Sequence, residues 1–250
     1  MTGPKILILN PNGTDIYDEA TREVAIPAVS PDTVVEIRNL EGSVPRTAFL
    51  PATSVLINPL LTAVVNAEQE GFDAIVIACC DDPGLQEAKE LVSIPVTGPM
   101  EAAAFTAAPL GRLAVIAPRI ESGENENLPT NSNWVRRHIH RYGMNYNFAG
   151  VRHAPCPHPP KEETDRLLDQ DIAQLCNIVR NGMANALDET GIRQAQLACD
   201  EDDADVLFFA CTIWSGLLGP VQENVSATVL DPVATPVRFA EMLARNAMQQ

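Results

Sequence analysis

The sequence predicts an α/β protein of two related lobes, each built on a mostly parallel sheet. Three observations carry this. Short apolar runs bounded by turn residues alternate with helical patterns along the whole chain, the signature of βαβ units. The runs are continuously apolar, as expected of strands covered on both faces, rather than alternating polar and apolar. The two halves of the chain also resemble each other.

Strands are expected over 5–9, 34–38, 74–78, 113–117, 206–210 and 228–230. The first, KILIL, leads into Asn10-Pro11-Asn12-Gly13-Thr14, where Thr14 is the expected N-cap of a helix over 14–25. A helix over 54–70 separates the second strand from the third. Asp82-Pro83-Gly84 then supplies an expected N-cap and a proline at the first position of a helix over 85–92. Further helices are expected over 101–107, 134–142, 162–189 and 236–248.

The internal resemblance is specific. IVIA precedes Cys79 and is followed, after a helix, by VSIPVTGP; LFFA precedes Cys211 and is followed by VSATVLDP. Cys79 precedes Gly98 by nearly the separation at which Cys211 precedes Asp231, and KILILNPN matches RLAVIAPR more weakly. Two lobes follow: residues 1–98 with 232–250, carrying Cys79, and residues 99–231, carrying Cys211. Ligands of such sheets bind outside the carboxyl ends of the strands, so both cysteines are expected to face one crevice.

Composition narrows the partners. The 250 residues carry 33 acids against 17 bases, a formal charge of -16, and 46% hydrophobic residues. An acidic chain without a basic stripe repels phosphate backbones, so nucleic acid is not expected. No apolar stretch is long enough to span a membrane, and the opening MTGPKILILNPNG lacks the order of a signal peptide. A cytoplasmic protein with a small-molecule ligand is expected. Six cysteines without any C-x2-C pair are read as thiols, not as disulfides or a structural zinc site.

A thiol just past a strand's carboxyl end lies near backbone N–H groups that favour its thiolate. Two such thiols on opposite sides of a carbon suit racemisation or epimerisation: one removes a proton and the other returns one. Asn10 and Asn12 are candidate donors to the carbonyl that gathers charge. No cofactor is required.

The runs ILNPNGT, DAIVIACCDDPGLQEAKELVSIPVTGPMEAAA, DVLFFACT and VLDPV resemble the aspartate/glutamate racemase superfamily, most closely its hydantoin racemase branch, which includes allantoin racemases. The resemblance implies two Rossmann-like lobes related by pseudo-twofold symmetry, an active site in the cleft between them, and cofactor-independent chemistry. It implies Cys79 and Cys211 as opposing acid and base, and a homo-oligomer. It further implies that Asn10, Asn12 and the main-chain amides of Cys80, Asp81, Thr212 and Ile213 hold substrate carbonyls, with Gly98 and Pro99 lining the site. Here Cys80 replaces a bulky aromatic, Ala117-Pro118 a threonine pair and Ile213-Trp214 a smaller turn, and the segment 118–133 is long and polar.

The expected activity is racemisation of 5-substituted hydantoins or a related ring such as allantoin. The alternatives are a maleate-type cis-trans isomerase, an amino-acid or dicarboxylate racemase, and a non-catalytic small-molecule binding protein. Alternation turns the Cys80 side chain away from that of Cys79, toward packing. His153, Cys156 and His158 lie in the proline-rich VRHAPCPHPP, read as a rigid exposed connector rather than a metal site. His138 and His140 are read as a solvated surface, DEDDAD from Asp200 as a solvated helix end, and Glu101 as a residue complementing a helix dipole.

Overall fold

The computed structural model describes residues 3–48, 52–119 and 132–248. Most of the polar segment 118–133, residues 120–131, lies outside the described residues. The chain divides into two compact units, Met1–Ala102 with Val233–Gln250, and Ala103–Pro232.

The first unit runs β1 (Lys5–Asn10), α1 (Asp18–Ala28), β2 (Val34–Asn39), α2 (Thr53–Gln69), β3 (Ala74–Ile77), α3 (Leu85–Leu91), β4 (Val96–Thr97) and the start of α4 (Pro99–Ala107). Its four strands are parallel in the order β2-β1-β3-β4. Strand alternation sends Leu7, Leu9, Ile75 and Ile77 to one face, where they pack with Leu56, Leu60, Val64 and Ala67 of α2. Ile6, Ile8, Ala74 and Val76 go to the other face, against Ala25 of α1. Both faces are therefore dry, which explains the unbroken apolar runs. Each fully buried Leu or Ile contributes about 1.5–3 kcal/mol.

The second unit contains β5 (Leu113–Arg119), α5 (Asn133–Arg141), β6 (Phe148–Pro155), α6 (Lys161–Gln170), α7 (Ile172–Ala186), α8 (Ile192–Asp202), β7 (Val206–Phe209), α9 (Gly219–Glu223) and β8 (Thr228–Leu230). Its strands are also parallel, in the order β6-β5-β7-β8, the same order as in the first unit. The last helix, α10 (Ala234–Ala247), returns to the first unit. There Val237, Ala240 and Ala244, on one helical stripe, cover the same sheet face as Ala25. Among the described residues no helix is long and apolar enough to cross a membrane.

Several local expectations are corrected. α1 starts at Asp18 without a side-chain cap, and Thr14 lies beside Asp15 instead of capping the helix. The preceding loop is pressed against the segment after β2 of the same chain: a Cβ on Gly13 would lie 2.4 Å from the Pro45 carbonyl oxygen. Asp82 does not cap α3, whose N-cap is Gly84 in the left-handed region at φ 66°. The helix expected over 162–189 breaks at Asp171, whose carboxylate accepts the Gln174 N–H at 2.9 Å and caps α7. Past α7 the chain continues through one π-helical turn, Leu187–Gly191, into α8.

The proline-rich stretch read as a connector begins inside β6. It is an edge strand, where prolines and polar residues are tolerated because one side of the ladder is unpaired. His138 is buried rather than solvated, stacked on Tyr142 with ring centroids 5.7 Å apart, while His140 is exposed. The acidic run does end α8, but Glu201 and Asp202 are held by Arg152, whose Nε lies 2.6 Å from Asp202 Oδ2.

Candidate active-site turns

Cys79 and Cys211 occupy equivalent turns in their own units. In the first, the Ala78 N–H donates to the Leu9 carbonyl of β1 at 2.9 Å, and the Cys79 N–H folds back to the Ile77 carbonyl at 2.8 Å. In the second, the Ala210 N–H donates to the Ile116 carbonyl of β5 at 2.9 Å, and the Cys211 N–H to the Phe209 carbonyl at 3.0 Å. Each cysteine carbonyl then accepts a main-chain N–H from the turn that follows: Asp82 on Cys79 at 2.9 Å, Trp214 on Cys211 at 3.0 Å. Each cysteine is thus the first residue past the last contact of its strand with the central strand. Both side chains are half-buried.

The turn after Cys79 is braced by Asp82. Its carboxylate accepts the main-chain N–H groups of Met100 (3.1 Å) and Glu101 (2.8 Å), and so caps α4 across the end of the sheet. The backbone of Asp82 is left-handed at φ 43°, an uncommon state for a residue with a side chain. Gly98 and Pro99 are buried under this carboxylate. Glu101 is buried and tied to Lys89 of α3 and to the Thr97 hydroxyl, which donates to it at 2.9 Å. Cys80 is buried at 5% exposure and Asp81 is half-buried.

The two asparagines differ. Asn10 is buried, and its amide nitrogen lies 2.6 Å from Asp18 Oδ1 and 3.4 Å from the Thr21 hydroxyl, so its donors face α1. Asn12 is half-buried and its side chain makes no hydrogen bond among the described residues.

The turn after Cys211 is a short 3-10 helix, Thr212–Trp214. Thr212 and Ile213 are half-buried and Trp214 is fully buried, with no partner for its indole N–H among the described residues. The Ile213 and Ser215 carbonyls accept the Arg180 guanidinium of α7, each at 3.2 Å. Asp231 accepts the Ser215 hydroxyl at 2.7 Å and the Gly216 N–H at 2.9 Å. In both units an aspartate therefore locks the thiol turn to the end of the neighbouring strand, but from opposite partners.

Cys156 is buried at 5% exposure, against the expectation of an exposed connector, because it directly follows β6 and its N–H donates to the Arg119 carbonyl at 2.9 Å. The neighbouring Cys156 side chain, together with the Ile213 and Trp214 N–H groups, lowers the Cys211 pKa despite burial. The Cys211 side chain and burial push the Cys156 thiol well up. His158 Nε2 lies 3.7 Å from Cys156 Sγ, and burial brings that imidazole down to about 4. Cys156, His158, Trp214 and Arg180 were not among the expected site residues. Only the spacing Cys-Pro-His hinted at the first two. Among the described residues no group of three or more His, Cys, Asp or Glu side chains is arranged to hold a metal ion.

Residues 6–240 match the family model described as Asp/Glu/Hydantoin racemase. A curated hydantoin racemase from Paenarthrobacter aurescens is 30% identical, covering 96% of this chain and 90% of that one. A solved allantoin racemase from Pseudomonas fluorescens superposes with a TM-score of 0.72 at 25% identity, covering 97% of this chain and 92% of the other. The allantoin racemase from Klebsiella pneumoniae gives 0.69 at 22% identity, covering 98% and 89%.

Proposed function

The chain belongs to the Asp/Glu/Hydantoin racemase family and is a racemase, an isomerase; from that premise we propose that it interconverts the enantiomers of 5-substituted hydantoins or of a closely related ring such as allantoin. The observation that carries the reading is the matched pair of thiol turns, identical in strand position and backbone bonding, in a chain similar to hydantoin and allantoin racemases.

In the proposed mechanism Cys79 and Cys211 act on opposite faces of the ring's stereogenic carbon. One thiolate takes the C–H proton and becomes a thiol; the electron pair left behind spreads onto the adjacent carbonyl. The other thiol gives its proton to the opposite face and becomes a thiolate. The flanking carbonyl and ring nitrogen make that carbon acidic enough for two thiols to work without a cofactor. Asn12, whose amide is uncommitted among the described residues, and the turn amides of Cys80, Asp81, Thr212 and Ile213 are the proposed donors to the ring carbonyls. Asn10 supports this loop through α1 rather than donating to substrate.

A ring substrate is favoured over a dicarboxylate by the engagement of two basic side chains beside these turns: Lys89 pairs with Glu101, and Arg180 holds two main-chain carbonyls. The test is proton NMR in heavy water with one enantiomer of a substituted hydantoin, against an enzyme-free control. Enzyme-dependent loss of the ring C–H signal together with falling optical rotation is expected. Binding without exchange, across a panel that includes allantoin, would overturn the reading.

A further inference from the structure

Along the turn that follows Cys211, main-chain donors and one arginine divide the carbonyls between them. The Cys211 carbonyl accepts the Trp214 N–H at 3.0 Å, the Thr212 carbonyl the Ser215 N–H at 3.1 Å and the Trp214 carbonyl the Leu217 N–H at 3.0 Å. The carbonyls of Ile213 and Ser215, on either side of Trp214, accept from Nη1 and Nη2 of Arg180, each at 3.2 Å. Leu175, Val179 and Met183 bury one stripe of α7, and Arg180 is half-buried beside it. In a chain of 33 acids and 17 bases this guanidinium forms no ion pair among the described residues and is kept for main-chain carbonyls.

We infer that Arg180 is a positioning residue: its forked guanidinium, opposed by Asp231, sets the turn that carries the Cys211 thiol and the main-chain amides of Thr212 and Ile213. The inference rests on the two-thiol reading above. It deepens that reading by naming what holds one of the two proposed proton carriers in place.

The grip works through two peptide units. In the Ser215–Gly216 peptide the carbonyl accepts from Arg180, while the N–H donates to Asp231 Oδ2 at 2.9 Å and the Ser215 hydroxyl donates to Asp231 Oδ1 at 2.7 Å. A cation and an anion thus hold the two ends of one peptide and polarise it in the same sense. In the Ile213–Trp214 peptide the carbonyl again accepts from Arg180, and the N–H donates to the carbonyl of Cys211 itself. A single peptide therefore separates the guanidinium from the cysteine. Gly216 is left-handed at φ 74°, and glycine on its own selects no one conformation, so the exit of the turn takes its shape from these side chains. The fork is essential to this role. Its nitrogens lie at a fixed separation and meet two carbonyls at once, whereas a lysine ammonium is a point charge on a flexible stem.

The test is the rate of iodoacetamide alkylation at Cys211 relative to Cys79, resolved by peptide mass spectrometry, in the full chain and in Arg180→Ala and Arg180→Lys, with urea unfolding as the check on folding. Main-chain N–H groups beside a thiol favour the reactive thiolate, so loosening the turn in Arg180→Ala is expected to lower the ratio by about threefold or more. Cys79, in the other unit, is the control within the same sample. Racemisation should lose about 10- to 100-fold in kcat, with KM within about twofold of wild type. Arg180→Lys keeps the charge without the fork and is expected to restore little of either; it also carries the test should Arg180→Ala fail to fold. Asp231→Ala releases the same peptide from its other end and should lower the ratio too, the double variant falling short of the product of the two effects. An unchanged ratio overturns the inference even where stability falls, and full recovery by Arg180→Lys overturns the part assigned to the fork. Alkylation needs no substrate. A lowered ratio in a protein that racemises no hydantoin would therefore sink the substrate reading and leave the positioning role of Arg180 standing.

Discussion

A Cβ placed on Gly98 would lie 2.3 Å from Oδ1 of Asp82. Position 98 is therefore closed to any side chain for as long as Asp82 caps α4 from the turn beside Cys79. Gly98→Ala is expected to lower stability by about 1–3 kcal/mol, the usual cost of overpacking a tight site. Asp82→Ala loses the cap and is expected to cost about 1–2 kcal/mol. In the double variant the two penalties should not add, because removing the carboxylate frees the space the alanine needs. Urea unfolding midpoints of the three variants check this.

Replacing either proposed proton carrier removes half of a two-step relay. Cys79→Ala and Cys211→Ala should each reduce interconversion by about 10²–10⁴-fold or more, while Cys80→Ala, which alters a buried packing residue, should change it modestly. Polarimetry on single enantiomers decides the matter. Normal interconversion by Cys79→Ala or Cys211→Ala would remove that residue from the mechanism.

The two asparagines of the first loop should separate cleanly. Asn12→Ala removes an amide with no bonded partner among the described residues, so it should leave thermal stability nearly intact and weaken substrate handling, seen as a higher KM or lower kcat/KM. Asn10→Ala leaves the Asp18 carboxylate and the Thr21 hydroxyl short of a buried donor. It should cost about 1–3 kcal/mol of stability before any kinetic effect is read.

Glu241 gives a pH dependence of known sign. Burial pushes its carboxyl up, but bonds from Thr33, Arg245 and Ser30 outweigh that and leave it below the ordinary carboxylate value. A carboxyl lowered in the folded state adds stability above the unfolded pKa of about 4.3 and loses it as pH falls through the lower folded value. Wild type should therefore be more stable than Glu241→Gln at neutral pH, with the gap closing as pH drops below about 4. Melting temperatures measured across that range would show it; a gap that widens on acidification would contradict it.

The sheets of both units were readable in the amino-acid sequence because their central strands are covered on both faces, so that runs such as Ile6 to Leu9 and Val206 to Phe209 are apolar throughout. The edge strands were not. β4 is only Val96–Thr97, and β6 mixes Gly150, Arg152, His153 and Pro155 because edge positions face less of the core. The cysteine motifs were legible through their repetition. The burial of Cys156 was not, since no local pattern shows that the residue after β6 packs against the sheet instead of lying in an exposed connector. Asp82 misled for a related reason: Asp-Pro-Gly has the composition of a local cap, yet its carboxylate serves a helix nearly two strand-helix elements further on.

The placement of α10 has a consequence for how the protein is made. Val237, Ala240 and Ala244 cover a sheet face whose strands leave the ribosome early in synthesis. Residues 103–232, by contrast, form one uninterrupted compact unit. A nascent chain paused after residue 232 would hold all the described strands of the later unit, while the earlier one would still lack the α10 cover over Ile6, Ile8 and Val76. The earlier unit must wait for residues 234–247, and chaperone demand should peak during that interval.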